Sequence, residues 1–266
     1  MQKQKSSNGA YFNLVRSIGV TDFKVKYNSS ILGYFWTLAK PLMLFSILYV
    51  VFTKFIKIGA NIPYYSIQLL LGIIVWNYFS ESSITAMNSI VSKGGLIRKI
   101  YFPREIIVTA SSLTSFMTLL LNLAVIPVFL VIKEVPISSQ AVLIILLLAE
   151  LFVFTVGLSL LLAALFVKFR DIGHIWEVAL QGLFYATPVI YDPSVIPASI
   201  RPYVMINPIA QIIQDMRHVV ITPTAITSES VLHGVFKLMP YVVAIIVTLI
   251  GVLYFRSASK SFAEEV

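Results

Sequence analysis

Six stretches of this chain, residues 35–53, 64–92, 106–132, 140–167, 173–190 and 238–255, are dominated by apolar side chains and carry few charges. The hydrocarbon core of a bilayer, about 30 Å thick, is crossed by a helix of about 20 mostly apolar residues. Within it every peptide group must find its hydrogen bond inside the protein, which a helix provides and an irregular chain does not. The expectation is an all-α integral membrane fold with six transmembrane helices, organised as a single domain over residues 1–266. The fifth stretch is the least apolar, because Glu177 and Gln181 interrupt it. The second is longer than a bilayer requires, so it tilts or carries its polar end, residues 87–92, into water. Composition agrees, with 58% hydrophobic and 12% charged residues against about 25% charged in soluble domains. So few charges leave too little polar surface to cover a water-facing globule.

The Lys and Arg residues set the orientation. With the N-terminus inside, thirteen fall in inside segments and six in outside segments, and Lys40 lies within the first span. That bias places both termini in the cytoplasm. It also accounts for the net charge of +8 through topology and anionic lipid rather than through nucleic acid. The polar start, Met1 to Gly9, lacks the apolar core of a signal peptide, so the first span is expected to act as its own insertion signal. The absence of cysteine excludes disulfides, thiolate nucleophiles and Cys-ligated zinc.

Residues 10–30 read as an amphipathic helix on the inner membrane surface. At about 100° per residue, Tyr11, Leu14, Val15, Ile18 and Val25 share a stripe, Arg16 and Lys24 face away, and Asp22 interrupts the apolar side. It is either a stop-transfer flank or a platform where Arg16, Lys24 and Lys26 attract phosphate-bearing headgroups. In the loop 93–105, Gly94 and Gly95 are expected to end the second span and Pro103 to start the third. A helical turn between them would expose Leu96, Ile100 and Tyr101. Such apolar residues on a cytoplasmic tip suit docking of a protein partner; a plain positively charged loop is the simpler reading.

Mid-span, Trp76, Tyr78, Phe79 and Glu81 suggest a polar, aromatic-lined pathway, with helix–helix packing as the alternative. Glu150 and Glu177 are open to the same two readings. In the long connection 191–237, Asn207-Pro208 forms an N-cap followed by proline, and Ile209, Ile212, Ile213, Met216 and Val220 follow helical spacing. Pro193, Pro197 and Pro202 precede them. This reads as a re-entrant hairpin at the outer mouth, or as a helix resting on the outer leaflet. No Walker A, HExxH or GxSxG pattern occurs, and His174, His218 and His233 are scattered. The chain is therefore expected to be no enzyme and to hold no metal, and any ATP and Mg would be bound by a separate subunit.

Taken in order, Lys26-Tyr27-Asn28-Ser29-Ser30-Ile31-Leu32-Gly33-Tyr34-Phe35-Trp36, Pro41, Phe102-Pro103, Phe169-Arg170-Asp171-Ile172, Thr187-Pro188-Val189-Ile190-Tyr191, Asn207-Pro208 and Arg217 resemble permease subunits of ABC exporters for O-antigen, capsular polysaccharide and teichoic acid. The resemblance covers nearly the whole chain. It implies a multi-pass permease of the bacterial inner or cytoplasmic membrane. The permease would form a homodimer with two nucleotide-binding subunits and carry a polyprenyl-linked glycan. It implies substrate admission at Arg16, Lys24, Lys26, Leu32 and Gly33, and a channel between two copies lined by Lys40, Trp76, Tyr78, Phe79, Glu81 and Tyr185. It implies ATPase coupling through Leu96, Ile97, Ile100, Tyr101 and Phe102, and an outer gate of Tyr191, Asn207, Pro208, Ile212 and Met216. Lys40 ahead of Pro41 departs from the pattern. Two other classes stand beside this one: an ion-coupled secondary transporter, which would show matching halves, and a membrane glycosyl- or acyltransferase, for which His174 near Asp171 is the one acid/base pair.

Overall fold

The computed structural model describes residues 7–28, 33–57, 62–99, 102–136 and 138–265, and among them all regular structure is helical. Helix α1 (Ser7–Asn28) precedes α2 (Gly33–Val50), which carries Pro41 inside it and runs into a π-helical turn, Val51–Phe55. Then come α3 (Tyr65–Ser92), the short α4 (Gly94–Lys99), α5 (Glu105–Leu123) and α6 (Val125–Ile132). The 3₁₀ turn Ser139–Leu143 leads into α7 (Ile144–Lys168), followed by α8 (Ile172–Ala186). Three short helices, α9 (Arg201–Met205), α10 (Pro208–Val220) and α11 (Ser228–Val231), lie before α12 (Met239–Ala258) and α13 (Phe262–Glu265).

Among the described residues four segments are long and apolar enough to cross a membrane: Phe35–Phe55, Glu105–Ile132, Ser139–Lys168 and Gly234–Ala258. The other two expected spans are helices of a different character. At 28 residues α3 has the length, but Asn77, Ser80, Glu81, Ser82, Ser83 and Asn88 lower its hydropathy. It tolerates them because it runs through protein: Ile67, Leu69, Leu70, Leu71, Ile73, Val75, Ser82 and Ser83 are all fully buried. A helix covered over most of its length belongs to a core rather than a lipid face. With 15 residues, α8 extends about 22 Å at 1.5 Å per residue, short of a full bilayer core. It was expected to reach residue 190 but stops at Ala186, with Thr187 extended (φ −94°, ψ 137°).

One local expectation is also corrected. The chain leaves α3 at Lys93, so Gly94 and Gly95 open α4 instead of capping α3, and neither adopts positive φ. The third apolar stretch remains one candidate span, Glu105–Ile132, but its helix is interrupted after Leu123, four residues before Pro127. A proline has no N–H and its ring crowds the carbonyl at i−4, which is this position.

Small residues allow α7 and α12 to meet backbone to backbone. A Cβ on Gly157 would lie 2.5 Å from Thr248 Cα, and one on Gly251 would lie 2.0 Å from the Gly157 carbonyl oxygen. Between membrane helices such approach supplies the packing that hydrophobicity cannot. Replacing Gly251 by Val should push the pair apart and destabilise the fold by about 1–3 kcal/mol, as overpacking does. A melting curve of the purified protein that matches the wild type would refute this contact.

Candidate functional site

At the α1 end, Val15, Ile106 and Ala110 form a small core joined by Tyr11, Ile18, Phe102 and Leu113. Gly19 brings α1 onto α5, where Thr114 Oγ1 donates to its carbonyl at 3.1 Å. Asp22, which interrupted the apolar stripe, pairs with Lys93 at the end of α3. One helical turn further, Lys26 pairs with Glu81. Two ion pairs thus tie α1 to α3, linking residues 71 and 55 positions apart in the chain. Arg16 and Lys24 are exposed.

Below this corner lies a cavity of about 510 Å³ lined by Lys26, Gly33, Trp36, Lys40, Asn77, Tyr78, Glu81 and Asn122. Its walls come from α1, α2, α3 and α5, and it holds two amino groups against one carboxylate. A second cavity of about 500 Å³ lies between α2, α3 and α8 and is bordered by Trp76, Asn77, Glu177, Gln181, Phe184 and Tyr185. Of the expected aromatic lining, Tyr185 is 67% exposed, while Trp76 packs edge-on to Phe184 with centroids 5.7 Å apart. Tyr78 touches the first cavity but is buried against Phe116. Phe79 stacks on Phe154 at 6.1 Å inside the bundle. These two rings are chiefly packing residues.

Ile97 is turned inward, 6% exposed, against Ala86, Ile90, Val167, Phe255 and Phe262, with Phe102 beside them. It anchors α4 from within the bundle. Leu32, Ile100, Tyr101 and the side chain of Leu96 lie outside the described residues.

The opposite end is organised by Arg217, which is 1% exposed. Because α8 stops early, the carbonyls of residues 188–191 lack helical partners. Arg217 donates to Pro188 O at 3.0 Å, Val189 O at 2.6 Å and Tyr191 O at 3.3 Å, and Tyr65 Oη donates to Ile190 O at 2.6 Å. Arg217 Nε also reaches Gln68 O in α3 at 3.2 Å. A guanidinium offers five N–H donors in a planar fork, and here that fork matches a cluster of carbonyls. Burial lowers its pKa to about 10, opposed by the nearby Asp192 carboxylate, so it remains a cation at neutral pH. Gly72 leaves room for this arrangement: a Cβ there would meet Val189 O at 2.6 Å and Arg217 Nη2 at 2.9 Å. Asn207 caps α10 by accepting from Ile209 N at 3.0 Å and donates to Thr187 Oγ1 at 3.0 Å. Pro208, Ile212 and Met216 are buried, and Tyr191 is half-buried with its hydroxyl donating to Tyr185 O. Helix α10 is thus packed into the bundle rather than laid on its surface.

The segments 187–191, 207–208 and 217, far apart in sequence, therefore form one clamp. Residues 13–221 match the family described as ABC-2 type transporter. The chain belongs to that family. Among ABC-2 type relatives, an O-antigen export system permease protein RfbA of Klebsiella pneumoniae is 30% identical over 263 residues, covering 98% of each chain. A second protein of that name and organism is 28% identical over the same span. The Myxococcus xanthus protein of that name is 30% identical over 190 residues, 70% of this chain and 71% of its own. The partners of Arg217 and the role of Gly72 were missed from sequence; a lone glycine in an apolar helix and an arginine on an otherwise apolar helix face were the available signals.

Replacing Arg217 by Leu strands several buried carbonyls at about 1–3 kcal/mol each; Lys, with one compact donor group, cannot reproduce the fork. Both variants should melt well below the wild type, and a cysteine at Tyr191 should become more reactive in the Lys variant. Wild-type melting temperature and labelling in both would refute the clamp.

Proposed function

We propose that this chain is the transmembrane subunit of an ATP-driven exporter that moves a lipid-linked bacterial polysaccharide, of the O-antigen class, across the cytoplasmic membrane. Six membrane passages, with the protein-enclosed α3 and the largely exposed α8 as the second and fifth, leave both termini inside. Two copies would face each other across α2, α3 and α8, with two ATP- and Mg-binding nucleotide-binding subunits below α4. Family membership and the names of the relatives support the exporter class.

The observation that carries the reading is the cavity beneath the α1–α2 corner, with Lys26 and Lys40 on its wall. A polyprenyl anchor gains about 0.8 kcal/mol for each methylene kept in hydrocarbon, so its lipid should remain in the bilayer while its phosphate and sugar pass inward. This corner brings amino groups to the level where a helix on the membrane surface meets one that crosses. Charge-assisted hydrogen bonds from ammonium to phosphate are the strong kind. Polar groups and the exposed ring of Tyr185 in the second cavity then offer a path for the glycan. No observation favours the transferase alternative: His174 and Asp171 are both exposed, at the turn between α7 and α8.

In cells lacking their own permease, the Lys26→Ala/Lys40→Ala variant should assemble normally and export polymer at least about tenfold more slowly, the scale of one hydrogen bond to a charged group. Lys237→Ala, at the other end, should export normally. Normal export by the double variant would remove the cleft from the mechanism. Cysteines at Ser259 and Ser199 should label from inside and outside respectively, and the reverse pattern would invert the topology.

A further inference from the structure

The cavity beneath the α1–α2 corner changes character along its length. The Lys26–Glu81 ion pair stands at one end. Helices α3 and α5 run antiparallel, since Ile90 shares a cluster with Ile107 while Tyr78 meets Phe116. The lining on α3 from Glu81 to Ile74 is therefore matched on α5 by the lining from Ser115 to Asn122. Each stretch advances seven residues, about 10 Å along a helix axis. Asn122 lies at the Ile74 end, away from the ion pair.

That end is polar without being charged. Ser115, Thr118 and Asn122 follow one another at spacings of three and four, which puts them on one face of α5. Each is more than nine-tenths buried. Asn122 is 7% exposed, and its amide is neither hydrogen-bonded to a described residue nor sealed off from the cavity it borders. Buried polar groups normally have partners, and one that has none calls for an explanation. Within a membrane-spanning segment such groups face cavities and mark the path of a substrate. Across from it, Asn77 of α3 borders this cavity and the second one as well, so it stands between the corner and the path proposed for the glycan.

An amide offers two N–H donors and a carbonyl acceptor. That set complements neighbouring hydroxyls, each of which donates and accepts; a phosphate diester only accepts and leaves the carbonyl unmatched. We propose that Asn122, with Asn77 and Ser115, is a subsite for an uncharged polyhydroxylated ring, the sugar joined to the phosphate of the lipid-linked substrate. This rests on the reading of the cleft given above and divides its tasks: the amino groups of Lys26 and Lys40 hold the phosphate, and the amides hold the first sugar.

The test is native mass spectrometry of the full-length chain in detergent, titrated with farnesyl diphosphate and with farnesyl diphosphate bearing one glucose, galactose or N-acetylglucosamine. At least one sugar-bearing lipid should bind about tenfold more tightly than the bare one, the scale of two neutral hydrogen bonds. Asn122→Leu should abolish that gain and leave the affinity for the bare lipid unchanged. It should melt no lower than the wild type, because an apolar group of similar size replaces an amide that no protein group satisfies. Asn77→Leu, on the opposite wall, should reduce the same gain, so the outcome does not hang on one variant folding. Lys26→Ala/Lys40→Ala should weaken all four lipids alike. If no sugar strengthens binding to the wild type, or the gain survives Asn122→Leu, the subsite is refuted while the lysine result still stands for the cleft. A lowered melting temperature with the gain intact would make Asn122 a packing residue and likewise refute the subsite. Unchanged binding of the bare lipid to the double lysine variant would remove the cleft reading, and the subsite with it.

Discussion

The buried guanidinium of Arg217 is the interaction on which the rest of the arrangement depends. When α8 stops at Ala186, the chain must turn inside the bundle, and the carbonyls of residues 188–191 face a region where water is scarce. In such surroundings each unmade hydrogen bond is costly. Arg217 serves three of these carbonyls and Tyr65 the fourth. The same guanidinium holds Gln68 in α3, so the end of α8, the first turns of α3 and the whole of α10 are fixed relative to one another. Gly72 is small because Val189 and Arg217 occupy the space beside it.

With its first turns held there, α3 can be polar further along. Its Asn77, Ser80 and Glu81 border cavities instead of lipid, and Ser83 accepts a hydrogen bond from Trp176 Nε1 at 2.9 Å. Helix α1 is fastened to the lower part of α3 by Asp22–Lys93 and Lys26–Glu81. Ion pairs this open to solvent contribute little stability, so their effect here is geometric: they set the position of α1 against the helix that leads directly into α4. The short helix α4 is held in turn by Ile97 packed against Phe255 and Phe262.

Apolar runs and their spacing made the helices legible in the sequence, because a bilayer leaves the backbone few alternatives. The cap at Asn207-Pro208 was legible for a local reason: the side chain bonds the backbone two residues ahead. The burial of α10 followed from its apolar periodicity. Illegible were the features made by distant partners. Arg217 meets Gln68 across 149 positions. The end of α8 was legible but overlooked, because Pro188 disfavours helical backbone at Thr187 before it. The carboxylates Asp22 and Glu81, one a flaw in an amphipathic pattern and the other a charge in a span, acquired partners only in three dimensions. Gly94 and Gly95 were misread because glycine after a helix often caps it, whereas here it begins the next one.

In the proposed mechanism the cavity beneath the α1–α2 corner admits the lipid-linked substrate. Trp36 is exposed on its wall, and Ile145 is exposed on α7 far from it. A photoreactive residue placed at each position, in cells making the polymer, reads the claim directly. Irradiation should give a glycolipid adduct at position 36 and none at 145. Equal labelling at both positions, or labelling at 145 alone, would contradict it.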